Sequence, residues 1–161
     1  MDSIKNRRTI RKYKAQDIPV DLLNDMLETS FRAATMGNMQ LYSVVVTRDP
    51  EMKAQLAPAH FNQPMVTSAP VVLTFCADFN RFSKWCRQRK AEPGYDNLLS
   101  FMNAMTDALL VTQNFCTIAE DKGLGTCFFR NYYLQSSSDY RNIKFARIGD
   151  TGCNNNRRLP R

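Results

Sequence analysis

Between Gly94 and Gly123 the chain contains neither glycine nor proline, and this stretch constrains the fold more than any other. Inside it, Asn97–Asp121 predicts the longest helix, with Phe101, Met105, Ala108, Thr112, Phe115 or Cys116, and Ala119 on one stripe. Leu109 and Val111 widen that stripe. A stripe so wide predicts burial on more than one side, as in a central helix or one that touches a second subunit. Lys122-Gly123 ends it, with Gly123 suited to the left-handed cap position.

Upstream, Val20–Ala34 repeats Leu23, Met26, Leu27, Phe31 and Ala34 at helical spacing, with Pro19 suited to its first turn and Gly37-Asn38 to its end. Leu41–Thr47 is β-branched and predicts a buried strand, and Pro70–Ala77 a second one. Between them, Asp49-Pro50 reads as a capped helix start, and a further helix is expected over His60–Ser68. Asn80–Lys90 predicts a basic helix that Glu92-Pro93-Gly94 breaks. Strands alternating with helices point to an α/β or α+β arrangement, helices over a sheet.

Several function classes fall away. The five cysteines are scattered and never spaced as CxxC, and His60 is the sole histidine, so no zinc set is expected. Reduced cysteines imply a cytoplasmic setting. No apolar run is long enough to cross a bilayer, and the first residues lack a signal-peptide core. The net charge of +7 is uneven: residues 1–129 carry 15 Lys+Arg against 13 Asp+Glu, and residues 130–161 carry 7 against 2. A nearly neutral body argues against a nucleic-acid partner, whose binding face would be basic throughout. There is no GxSxG elbow, P-loop or GxGxxG; His60 reads more simply as a solvated or core histidine, and Cys127 as a buried, inert cysteine, than as catalysts.

Four segments remain. Arg7-Arg8-Thr9-Ile10-Arg11 sets guanidinium forks around a hydroxyl, a chemistry suited to phosphate or the electron-rich edge of a flavin. Ala34-Thr35-Met36-Gly37-Asn38-Met39-Gln40 places small and amide residues before the first strand. Asn62-Gln63-Pro64 and Ser68-Ala69-Pro70 precede the second, and Gly123-Leu124-Gly125-Thr126-Cys127 follows the long helix. In this order the four segments resemble the nitroreductase family over about the first 129 residues.

The resemblance implies an α+β fold with a nitroreductase-like central sheet flanked by helices, an intertwined homodimer, and FMN held at the subunit interface. By position, Arg7, Arg8, Thr9 and Arg11 would hold the phosphate, ribityl and pyrimidine end of FMN. Thr35, Met36 and Asn38 would reach the flavin from the other subunit, and Asn62 would touch its polar edge. Ala34-Thr35 stands where the family has Pro-Ser, and Leu41-Tyr42 where it has Pro-Trp. The implied activity is ping-pong: hydride from NAD(P)H to flavin N5, then electrons to a nitroaromatic, quinone or similar small-molecule acceptor. No protein acid or base is singled out, because the cofactor carries the chemistry. The alternative is an inactive, truncated member that dimerises but binds FMN poorly.

From Arg130 the sequence departs from that family, lacking its C-terminal strand segment, and becomes a polar, basic tail. Back-translated as CGG AAC TAC TAC TTA CAA, residues 130–135 read one base later as Gly-Thr-Thr-Thr-Tyr, which continues the family pattern. With suitable codons Ala146–Pro160 reads in the same shifted frame as Pro-Glu-Leu-Val-Ile-Pro-Val-Ala-Thr-Thr-Thr-Val-Gly-Tyr-Pro, again family-like. The expectation is a nitroreductase-like domain over 1–129 and a frameshifted tail over 130–161.

Overall fold

The structure is a computed structural model that describes residues 2–94 and 97–128; the tail from Arg130 lies outside the described residues. Its axis is α6 (Leu98–Asp121), the long helix expected from the sequence. Asn97 caps the start, its side-chain oxygen accepting from Ser100 N at 2.9 Å. At the other end Gly123 has φ +80°, Leu124 N donates to Ala119 O at 2.9 Å, and Gly123 N to Glu120 O at 3.1 Å. These are the paired bonds of a Schellman cap, so the helix stops at Lys122 and the chain turns sharply away.

Along α6 the buried face is Ser100, Ala104, Asp107, Ala108, Val111, Phe115, Cys116 and Ala119. Phe101 and Leu109, expected on the inner stripe, are exposed instead, together with Leu98, Leu99, Met102 and Leu110. The described residues of one chain therefore cover only one side of the helix, and the N-terminal half carries a second apolar face.

α2 (Val20–Ser30) packs Leu23, Met26 and Leu27 against Phe115 and Ala119 of α6. Each such side chain contributes about 1.5–3 kcal/mol on burial. Pro19 precedes α2 rather than lying in its first turn. The helix also ends at Ser30, four residues short of the expected Ala34. The Ser30 hydroxyl donates to Leu27 O at 2.7 Å, and Asn114 of α6 donates to Ser30 O at 3.0 Å, capping the terminal carbonyl from outside.

β1 (Tyr42–Thr47) and β2 (Val72–Ala77) form an antiparallel pair with Val44 opposite Phe75. Both residues pack onto the helical core, and the Phe75 and Phe115 rings lie 5.9 Å apart. β2 is half-buried over most of its length rather than sealed in a sheet interior, since among the described residues the sheet has two strands.

The connection between the strands holds α3 (Pro50–Leu56), capped by Asp49 through Met52 N as the sequence implied, and α4 (Pro64–Ser68). The helix expected from His60 begins only at Pro64. Phe61 and Asn62 take left-handed backbone, φ +55° and +51°, which breaks the run before it. Buried Lys53 of α3 donates its ammonium to Ala69 O at 2.8 Å, tying α3 to the entry of β2. α5 (Asn80–Gln88) follows β2, and a short α1 (Asp2–Lys5) opens the chain.

Candidate functional site

The arginine segment is anchored to the far end of α6. Past the Schellman turn, Thr126 O accepts from Ile10 N at 2.9 Å, so residues 10 and 126 run side by side. A Cβ on Gly125 would lie 2.9 Å from Ile10 Cβ and Cγ2; glycine is what lets the two backbones meet. Tyr13 closes the segment by donating its hydroxyl to Ile10 O at 2.9 Å. Glu120, on the last turn of α6, accepts from Thr126 Oγ1 at 2.5 Å and lies 3.6 Å from Arg7 Nε. That ion pair is partly exposed and worth at most about 1 kcal/mol, but it fixes where Arg7 points.

Arg8, Thr9 and Arg11 are exposed, and neither Arg8 nor Arg11 has a carboxylate partner among the described residues. Two uncommitted guanidinium groups beside a hydroxyl suit a phosphate. The floor beneath them is less polar. Burial pushes the Tyr13 hydroxyl up to about 12, with the Cys127 thiol adding to the rise and Arg11 opposing it. Burial likewise raises the Cys116 thiol, with a hydrogen bond from Thr126 opposing.

Thr35, Met36 and Asn38 occupy a separate loop between α2 and β1. Gly37, Asn38 and Gln40 all have left-handed backbone, φ +53°, +56° and +53°. The loop is held from behind by Asp107 of α6, which is fully buried: Oδ1 accepts from Met36 N at 2.9 Å and Oδ2 from Leu41 N at 3.1 Å. Arg81 of α5 donates to Gln40 O, and Asp78 N to Leu41 O at 2.9 Å. Thr35 is half-buried, while Met36 and Asn38 face outward.

Asn62 is exposed, two residues before α4, and Asn62 N donates to Ala57 O at 2.8 Å. α4 reaches the arginine end, where Cys127 Sγ lies 3.9 Å from Met65 Sδ. Asparagine tolerates the left-handed region readily; Phe61 beside it does not, and it stands 61% exposed. His60 is half-buried, and burial lowers its pKa from the ordinary 6.5.

Within one chain the predicted residues thus form two groups. Arg7, Arg8, Thr9 and Arg11 gather at the C-terminal end of α6, with the Asn62 loop leading into α4 alongside. Thr35, Met36 and Asn38 are held at Asp107, about 20 Å away along the helix axis at a rise of about 1.5 Å per residue. A hollow of about 260 Å³ lined by Lys14–Asp17, Arg48, Lys53 and Ser68–Pro70 contains none of them. Asp107 and Glu120, which position the two groups, were not singled out from the sequence. Asp107 left a signal: it is the only charged residue between Asn97 and Ala119.

Residues 4–143 match the Nitroreductase family. An FMN reductase (NADPH) of Bacillus subtilis strain 168 is 30% identical over 130 residues, covering 80% of this chain and 52% of its own length. Among solved structures, a Bacteroides fragilis NCTC 9343 protein described as an oxidoreductase is 72% identical, with a TM-score of 0.76, over 78% of this chain and 51% of that one. The NfrA1 nitroreductase from B. subtilis is 30% identical, with a TM-score of 0.73, over 77% and 51%. The chain spans about half the length of the curated relatives it matches.

The close approach at Gly125 makes the arm testable. Gly125→Ala is expected to destabilise by about 1–3 kcal/mol through overpacking against Ile10, read as a lower urea midpoint and faster tryptic cleavage between Arg7 and Lys14. Adding Ile10→Ala should restore part of the loss; no restoration would mean the contact is not the cause. Tyr13 gives a pH test. Its raised pKa means the fold favours the neutral phenol, so this stabilisation is complete below pH 10 and is lost as pH rises towards about 12. Urea midpoints measured across that range should fall for the native chain and fall less for Tyr13→Phe.

Proposed function

The chain belongs to the nitroreductase family, and from that premise we propose that it is an FMN-dependent NAD(P)H oxidoreductase that works as a homodimer. The observation that carries this reading is the division of the flavin-type residues between the middle of α6 and its C-terminal end, too far apart in one chain to form one pocket. A second copy supplies the missing half. The exposed face of Leu98, Leu99, Phe101, Met102, Leu109 and Leu110 on the same helix supports that pairing, because so large an apolar surface favours a partner over water. No helix among the described residues is long and apolar enough to cross a membrane, and we place the enzyme in the cytoplasm, without a nucleic-acid partner.

The residues fit FMN. Among the described residues Arg8 and Arg11 have no carboxylate partner and present fork-shaped donors to a phosphate, with the Thr9 hydroxyl between them and Arg7 steered by Glu120. Thr35, Met36 and Asn38 of the partner protomer would lie against the flavin ring, with Asn62 at its polar edge. When bound, FMN supplies the redox chemistry, accepting hydride from NAD(P)H at N5 and passing electrons to a nitroaromatic, quinone or similar acceptor in ping-pong order. The protein's part is to bind, orient and shield: arginines neutralise the phosphate, and the fixed 35–41 loop presents a shaped wall.

We also propose that the sequence from Arg130 onward is read in a shifted frame. The 72% identity to the B. fragilis protein stands beside coverage of only 51% of that protein. The family match itself runs to residue 143, so the codon reading, not the match, places the boundary at Arg130.

Absorbance of the purified chain with added FMN and NADH tests the activity: flavin bands that bleach on NADH are expected, and a colourless protein that FMN cannot reconstitute would overturn it for this chain. Arg8→Ala and Arg11→Ala should each weaken FMN binding by about tenfold, the loss of one charge-assisted hydrogen bond, as read by quenching of flavin fluorescence. The gene should encode Gly-Thr-Thr-Thr-Tyr one base out of frame just after Phe129. Finding another sequence there ends the frame proposal.

A further inference from the structure

We propose that Asp107 is a positioning residue, the latch that holds the 35–41 loop in the shape it presents to a bound flavin. The inference rests on the flavin reading above for its purpose, and on the described geometry for its mechanism. Both carboxylate oxygens are spent on backbone: one accepts from Met36 N at 2.9 Å, the other from Leu41 N at 3.1 Å. These donors lie at the two ends of a loop whose middle holds three left-handed residues, two of them not glycine. Asn38 tolerates that region, but Gln40 carries strain of roughly 1–2 kcal/mol there, so the shape needs an external hold.

The C-terminal side of the loop has other supports, since Arg81 donates to Gln40 O and Asp78 N to Leu41 O. At the N-terminal side, Met36 N is held by Asp107 alone among the described residues. That is the side bearing Thr35, Met36 and Asn38. Asp107 has no cationic partner within ion-pair distance among the described residues, so the two N–H donors are what satisfy a fully buried carboxylate. A charge kept at that cost for two backbone bonds in a loop, rather than for an ion pair or a helix cap, points to the loop's shape as its purpose.

Asp107→Asn keeps the volume but turns an amide donor towards one of the two N–H groups, breaking one end of the bridge. Two readouts are needed: FMN affinity by fluorescence quenching, and backbone amide exchange. The expected result is at least about tenfold weaker FMN binding, with faster exchange confined to residues 36–41 and the β1–β2 amides still protected. Unchanged FMN affinity, or faster exchange spread evenly through the sheet, would overturn the proposal. Met36→Pro removes the same hydrogen bond from the other partner and leaves α6 untouched, so it serves if Asp107→Asn does not fold. Thr35 is already extended, as a residue before proline must be, and Met36 opens the 3-10 turn, where proline is tolerated. Met36→Pro should weaken FMN binding more than Met36→Ala does; equal weakening counts against the latch. If the native chain takes up no FMN, the flavin reading fails separately. The exchange pattern then decides the latch: loosening confined to 36–41 supports it, and uniform loosening overturns it.

Discussion

A single carboxylate joins the longest helix to the least regular loop. Asp107 sits in the middle of the buried face of α6, where every neighbouring inward residue is apolar or small, and spends both oxygens on the ends of the 35–41 segment. The bridge gives β1 a defined start, since Leu41 N is held one residue before the strand begins. The same helix also caps the end of α2, through Asn114. Helix, loop and strand are thus aligned by polar contacts of fixed geometry, and apolar packing fills the space they leave.

The far end of α6 uses different means. There the backbone turns on Gly123, returns past Gly125, and lies against the N-terminal segment with only a hydrogen between the chains. Glu120 and Thr126 steer Arg7, while Tyr13, Cys116 and Cys127 make the less polar floor. The same helix therefore organises two surfaces of different character: a backbone-shaped wall near its middle and a cationic surface at its C-terminal end.

Much of the fold was legible because it is governed by local rules. Asp49-Pro50 and Gly123 mark helix ends by their own chemistry, and the two apolar runs became the two strands within two residues of expectation. What failed depends on distant partners. The early end of α2 needs Asn114, which lies 84 positions away, and the exposure of Phe101 and Leu109 depends on which face of α6 meets β1 and β2. The left-handed pair Phe61-Asn62 could not be seen, since phenylalanine does not advertise such a conformation. For the site, the four segments named the residues, but their spatial division and the two carboxylates that impose it emerge only in three dimensions. Asp107 is the instructive case. Its place on an otherwise apolar face hides it from the helical spacing of apolar residues, and only the fold shows the two backbone donors it meets.

The pairing of Ile10 with Thr126 has a bearing on how the chain is made. These residues are far apart in sequence, so during synthesis the arginine segment is made well before the segment that docks it. Until α6 and its Schellman turn are complete, residues 7–13 have no backbone to lie against. Closing so long a loop is entropically costly and slow compared with forming the helices. Until that dock is made, Arg8 and Arg11 are held only by their own segment, so this end of the described fold closes after the local helices can form. The proposed phosphate site thus depends on two segments far apart in sequence coming together, and a local helix cannot build it alone.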